Sequence, residues 1–202
     1  MAIVLAALAG YLDGIGFLRL NGFFVSFMSG NSTRLGAGLG GGERDATVTA
    51  GLIVLCFLTG VVAGSLAGRA AGRQFRLAVL VLETLLLLTA GLLQGDGLDE
   101  AALAAVILAT GVENSVFQRH GLVTTGLTYV TGTLVKAGQQ LAGALVGEAP
   151  FAWLPSLLLW LGFVVGAALG AAAYRWIGLQ AIWGAFGCAA AVTLMAAAKS
   201  RG

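Results

Sequence analysis

Six apolar runs of helical length divide the chain, near Ala2–Leu20, Val48–Gly68, Leu77–Gly95, Ala101–Phe117, Phe151–Ala173 and Ile177–Ala198. Each approaches the ~20 mostly apolar residues that a bilayer-crossing helix needs. Between the first and second run, and again between the fourth and fifth, the chain turns polar. In each interruption a β-prone stretch comes first, Phe23–Phe27 and then Val123–Tyr129. A small-residue step follows, and a helical pattern starts at Ser29 or Thr131, whose hydroxyls suit an N-cap. An extended piece feeding a short helix is a broken-helix element. Such backbone is tolerated at membrane depth only where protein or a water-filled cavity surrounds it.

The two interruptions are copies. Residues 27–36 (Phe-Met-Ser-Gly-Asn-Ser-Thr-Arg-Leu-Gly) reappear at 129–138 as Tyr-Val-Thr-Gly-Thr-Leu-Val-Lys-Ala-Gly, a shift of 102. Six glycines (Gly30, Gly36, Gly41, Gly60, Gly64 and Gly68) meet another glycine at that shift, and Arg73 meets Arg175. Chance predicts fewer than two such glycine matches, so the chain reads as one transmembrane domain over 1–202 with internal repeats at approximately 1–97 and 98–202. The rows Gly60/Gly64/Gly68 and Gly162/Gly166/Gly170 each make one helix face of small residues, on which another backbone can approach closely.

If each polar element enters and leaves on one side, each half has three spans, and the odd number inverts the second half. If each element crosses, the halves are parallel with four crossings apiece. Arg69, Arg73 and Arg76 mark one connection as cytoplasmic, and Asp96, Asp99 and Glu100 suit the opposite face. The expected fold is an all-α membrane protein of two homologous halves. Each half has three spanning helices plus one broken element (extended segment and half-helix), arranged as an inverted repeat; parallel four-plus-four crossings are the alternative.

Composition removes the soluble reading. Hydrophobic residues make up 58% and charged residues 10%, with mean hydropathy +0.94, where a soluble domain carries about 25% charged residues. The net charge of +2 is dispersed, so no nucleic-acid surface is expected. Cys56, Cys188 and the one histidine, His120, make no plausible ligand set. No metal, cofactor or disulfide is therefore expected, and the cysteines read as small packing residues. The first run lacks a basic leader and a cleavage site and reads as a retained span. No Ser/His/Asp set is present, and Gly38–Gly42 lacks the Lys-Ser/Thr of a phosphate loop, so no catalytic residue is assigned and the chain is not read as an enzyme.

The polar residues that remain carry the candidate chemistry. Asp13 lies in Gly10-Tyr11-Leu12-Asp13 and Asn114 in Gly111-Val112-Glu113-Asn114, mates at a shift of 101, with Ser115 and Gln118 beyond. A carboxylate at membrane depth costs about 2.5–3.5 kcal/mol or more. Asp13 and Glu113 therefore read either as proton- or ion-coupling groups or as structural partners of Arg34 or Lys136. Glu83, whose mate is apolar, reads as structural or as a rim residue. A helix N-terminus offers unpaired N–H groups and about half a positive charge. The expected solute-binding set is Ser29, Gly30, Asn31, Ser32, Thr33, Arg34, Asn114, Thr131, Gly132, Thr133 and Lys136. The function this points to is a secondary transporter of a small anionic or polar solute, with a proton as candidate co-substrate and a midplane site between two half-helix N-termini. A passive channel is the alternative. The partners expected are the lipid bilayer and a small-molecule substrate, with a homodimer as the candidate assembly.

Gly10-Tyr11-Leu12-Asp13, Gly22-Phe23-Phe24-Val25, Met28-Ser29-Gly30-Asn31 and Thr131-Gly132-Thr133-Leu134 together resemble the YoaK-like family of bacterial inner-membrane proteins, a domain of unknown function numbered 1275. The resemblance covers essentially the whole chain. It implies a multi-pass, six-span protein of the bacterial inner (plasma) membrane and brings no activity with it. Ser29 stands where the family pattern leads one to expect Thr, which keeps the hydroxyl, and the short N-terminus lacks the expected basic start.

Overall fold

The computed structural model describes residues 1–116 and 130–200 in full, with the backbone alone at 118–119, 122–123 and 201. The elements are α1 (Ala2–Arg19), α2 (Met28–Gly41), α3 (Arg44–Ala70), α4 (Phe75–Gly95), α5 (Asp99–Glu113), α6 (Val130–Leu145), α7 (Leu154–Ile177) and α8 (Ile182–Arg201). A two-residue antiparallel pair joins Gln118–Arg119 (β1) to Leu122–Val123 (β2). Among the described residues, four helical stretches are long and apolar enough to cross a membrane: Ala2–Arg19, Arg44–Ala70, Gly72–Gly95 and Leu154–Ser200. The last contains both α7 and α8, separated at Gly178, which takes a left-handed φ of +61°. The chain is a multi-pass membrane protein.

The six apolar runs correspond to α1, α3, α4, α5, α7 and α8, and the two polar interruptions contain α2 and α6. The short helices begin one residue before the expected starts, at Met28 and Val130. At α2 the capping position is Phe27, with no side-chain cap. Ser29 does not cap: it is exposed, and its carbonyl accepts the Thr33 hydroxyl at 3.0 Å. The nearest upstream hydroxyl, Ser26, is committed to Asp13 instead. The extended stretch expected over Val123–Tyr129 lies, past Val123, outside the described residues, as do His120 and the side chain of Gln118.

Glycine decides which helices touch. A side chain at Gly10 or Gly14 of α1 would strike the backbone of Phe163 or Ala167 on α7, and one at Gly166 or Gly170 would strike Ala7 or Tyr11. Contacts that climb together in residue number mean that α1 and α7 run parallel. The same holds for α3 and α5, where Gly60 meets Leu108, Gly64 meets Val112, and Gly111 meets Phe57. Between α4 and α8 the order reverses. Thr84 bonds Thr193 at 2.8 Å while Gly91 lies against Trp183, so these two are antiparallel.

Short connections make α3, α4 and α5 a serial up-down-up stack, and α7 and α8 a hairpin. Taken in order, α1, α3, α4, α5, α7 and α8 therefore alternate in direction. The chain between α1 and α3 must then enter and leave at one end of the bundle. Arg19 at the end of α1 reaches Glu100 (3.1 Å) and Asp99 (3.5 Å) at the start of α5, as these directions require.

The core lies around α5. Its residues Ala102, Leu103, Val106, Ala109 and Val112 are buried, together with Leu5, Leu12 and Ile15 of α1 and Val79, Leu80 and Leu87 of α4. Leu52, Leu55, Leu58, Val62 and Leu66 of α3 stay exposed. In a membrane that is the expected arrangement, because lipid tails solvate leucine as well as a protein core does.

Candidate functional site

The segment between α1 and α2 is irregular backbone inside an apolar bundle, where every N–H and C=O needs a partner. Three side chains from three helices supply them. Asp13 of α1 accepts the N–H of Val25 (2.8 Å) and of Ser26 (2.7 Å) on one oxygen and the Ser26 hydroxyl (2.6 Å) on the other. Thr110 of α5 donates its hydroxyl to the Val25 carbonyl at 2.7 Å. Asn31 in the first turn of α2 pairs with both backbone groups of Phe24, accepting its N–H at 3.0 Å and donating to its carbonyl at 2.7 Å. All three side chains are buried.

The aromatic residues of this segment form one wall of a cavity of about 470 Å³. It is lined by Asp13, Phe17, Phe24 and Phe27, by Phe163 and Ala167 of α7, and by Val130 and Thr131 at the start of α6. Phe24 stacks at 5.3 Å on Phe17 and edge-on at 5.2 Å with Phe27. Gly30 makes this possible, since a side chain there would collide with the rings of Phe24 and Phe27. The first-turn N–H groups of α6 have no partner within their helix, and the start of α6 faces the aromatic wall carried by the segment before α2. The volume falls within the range of small-molecule sites, about 300–1,000 Å³.

Of the residues expected to bind or couple, Asp13 and Thr131 line this cavity. Asn31 and Gly30 shape its wall from behind, through Phe24 and Phe27. Ser29, Ser32, Thr33 and Arg34 are exposed along α2, and Gly132 and Lys136 along α6, with Thr133 half-buried. The Arg34 guanidinium stacks on the Phe23 ring, 4.6 Å from its centroid, rather than pairing with Asp13. Asn114 is half-buried and donates to the Thr110 carbonyl at 2.8 Å.

Glu113 lies elsewhere, at the inner end of α5, and Glu83 of α4 joins it in the core. Both are buried (0% and 1% exposed), and among the described residues none of their four carboxyl oxygens has a hydrogen-bond partner. The two are within electrostatic reach of each other. Glu83 is thus a core residue and not a rim residue. The sequence reading also missed Ser26 and Thr110. The available signal for Thr110 was a hydroxyl in an apolar helix, one turn before Asn114.

A family model described as "Protein of unknown function (DUF1275)" matches residues 1–195. The UPF0700 transmembrane protein RA0705 of Rhizobium meliloti (strain 1021) is 37% identical over 163 residues, covering 80% of this chain and 69% of that relative. No solved structure matches the chain.

Proposed function

We propose that this chain, which belongs to the DUF1275 family of membrane proteins, is a proton-coupled secondary transporter of a small solute. The observation that carries the reading is the cavity in which the start of α6 meets the broken segment held by Asp13.

An inverted repeat supplies the architecture. The Gly10–Phe163 contact has its counterpart in Gly111–Phe57, Gly166–Ala7 in Gly60–Leu108, and Gly170–Tyr11 in Gly64–Val112. These pairs relate α1 to α5 by 101 residues and α3 to α7 by 106. Gly72 and Gly178, which start the matching turns with φ of +54° and +61°, are also 106 apart. By packing, the counterparts of Gly60 and Gly64 in the other half are therefore Gly166 and Gly170, one turn on from the sequence pairing at 102. The connection at 146–153, longer than its counterpart at 42–43, absorbs the extra turn. Halves related in this way place their broken helices at the middle of the bundle, where rocking of one half against the other opens a site to alternate sides.

The cavity sets the solute class. Phe17, Phe24, Phe27 and Phe163 suit a flat apolar body, while Thr131 and the α6 start receive one polar, hydrogen-bond-accepting end. Arg34 and Lys136 are absent from the lining, so the solute need not be an anion. Asp13, with three hydrogen bonds already made, positions the wall. Coupling falls to Glu113 with Glu83. A buried charge without a partner is costly, and two acids on the adjoining helices α4 and α5 can load and release a proton as the bundle changes state.

Proteoliposomes containing a pH-sensitive dye, tested against a panel of small aromatic carboxylates, amides and nucleobases, provide the test. Saturable uptake accompanied by proton movement is expected for at least one class, with accumulation lost in Glu113→Gln. Flux that is linear in solute and indifferent to the pH gradient would make the protein a passive channel.

A further inference from the structure

The Thr110 hydroxyl has one proton and two acceptors within reach, the Val25 carbonyl at 2.7 Å and the carbonyl of Ile107 in its own helix at 2.9 Å. Among the described residues, the bond to Val25 is the hydrogen bond that ties α5 to the segment before α2. Turning the proton to Ile107 releases that segment without leaving the hydroxyl idle, a back-bond that helical threonine readily makes. Val25 is held from the other side as well, its N–H bonded to Asp13 of α1 at 2.8 Å. It is therefore a joint between two helices that touch little elsewhere. Helix α1 packs along α7 through Gly10, Gly14, Gly166 and Gly170, and α5 along α3 through Gly60, Gly64 and Gly111. A second link between α1 and α5, the pair of Arg19 with Glu100, is exposed at the end of the bundle.

Thr110 stands three residues before Glu113 on α5, on the same helix face. The titratable groups that bear on Glu113 are Glu83 of α4, Cys188 of α8 and Asp13 of α1. From α3, Gly60 and Gly64 are the residues that meet α5 backbone. None of these is a cation, so a charge formed on Glu113 is costly unless its surroundings rearrange. The helix ends at Glu113, and its last turn, which includes Thr110, is the part least held by helical bonds. We propose that Thr110 is the positioning residue through which the protonation state of Glu113 sets the aromatic wall of the cavity, by bonding Val25 in one state and Ile107 in the other. Phe24 and Phe27 flank Val25 and Ser26 and line the cavity, so they carry any movement of the joint to the solute site. This inference rests on the transport reading and adds to it the route between the coupling acids and the solute.

The test reads the cavity without a solute. A Thr131→Cys reporter in a Cys56→Ser/Cys188→Ser background is alkylated with N-ethylmaleimide in detergent across a series from mildly acidic to mildly alkaline pH. The background also removes Cys188 as a titrating neighbour of Glu113. A Gly36→Cys reporter, at an exposed position with nothing within 4 Å, corrects for the titration of the thiol itself. The ratio of the two rates should step with pH by at least about fivefold in the reporter parent, the lower end of ordinary coupling between sites. Glu113→Gln should abolish the step. Thr110→Val, which keeps the shape and removes the hydroxyl, should abolish it too, while Thr110→Ser and Arg19→Ala keep it. A step that persists in Thr110→Val, or is lost in Thr110→Ser, overturns this inference and leaves the transport reading standing. A parent without a step, or a step that survives Glu113→Gln, overturns the coupling reading and this inference together. Should the valine variant not fold, Thr110→Ala makes the same comparison.

Discussion

Replacing Asp13 with alanine removes the acceptor for two buried backbone N–H groups and one hydroxyl. Those bonds measure 2.8, 2.7 and 2.6 Å and join buried residues. Each N–H left unsatisfied costs about 1–3 kcal/mol, so Asp13→Ala should lose about 2–6 kcal/mol in all. At the usual conversion for a chain of this length, that lowers the melting temperature by roughly 10 °C. Asp13→Asn keeps an acceptor oxygen in the same place and lets the Ser26 hydroxyl turn to accept from the new amide. Asn114, the mate of Asp13, already carries that side chain. The asparagine variant should therefore melt within about 3 °C of the parent. A thiol-reactive dye melt in detergent, reporting through Cys56 and Cys188, reads both. If alanine melts with the parent, Asp13 is not holding the segment. If asparagine melts as low as alanine, the charge itself is what matters, and Asp13 returns as a coupling candidate.

Glu113→Gln and Glu83→Gln remove no hydrogen bond to any described residue, so both should melt near the parent while losing proton-driven accumulation; a large fall in stability would mean the acids have structural partners. Gly30→Leu should push Phe24 and Phe27 into the 470 Å³ cavity and abolish solute binding, measured by isothermal titration with a transported solute. Gly170→Ala, which drives a methyl group onto the Tyr11 backbone, should cost about 1–3 kcal/mol in a melt. Gly36→Ala meets nothing within 4 Å and should be neutral or gain up to about 1 kcal/mol of helix stability. Arg19→Ala breaks an exposed pair and should shift stability by less than about 1 kcal/mol, an effect that vanishes at high salt.

The membrane class, the eight α-helices among the described residues and the two interruptions were legible because each depends on local pattern: runs of apolar residues, and polar residues where a run should continue. On the proposed repeat, the motif copy at 102 can be read along the chain, whereas the register of the glycine rows cannot, since a Gly-x-x-x-Gly row looks the same when moved by one turn and only backbone contacts such as those of Gly60 and Gly166 distinguish two registers. At the site, Asp13 and Thr131 were readable as polar intruders. The direction in which a polar side chain spends its hydrogen bonds was not. Asn31 and Asp13 serve backbone groups in the Phe24–Ser26 stretch, and no spacing rule announces a side chain that satisfies irregular backbone nearby. For Glu83 the chain left a structural place and a rim place both open, and burial excludes the rim, because the helix face it occupies is covered by α5 and α8, which follow it in the chain.

Alternating access is most directly tested by a single cysteine at position 131 in a Cys56→Ser/Cys188→Ser background, probed with a membrane-impermeant thiol reagent from each side of sealed vesicles. The cavity at the start of α6 should be reachable from one face under one pH gradient and from the opposite face when the gradient is reversed. A cysteine that reacts from the same face under both gradients, or from both faces at once, would contradict the transporter account.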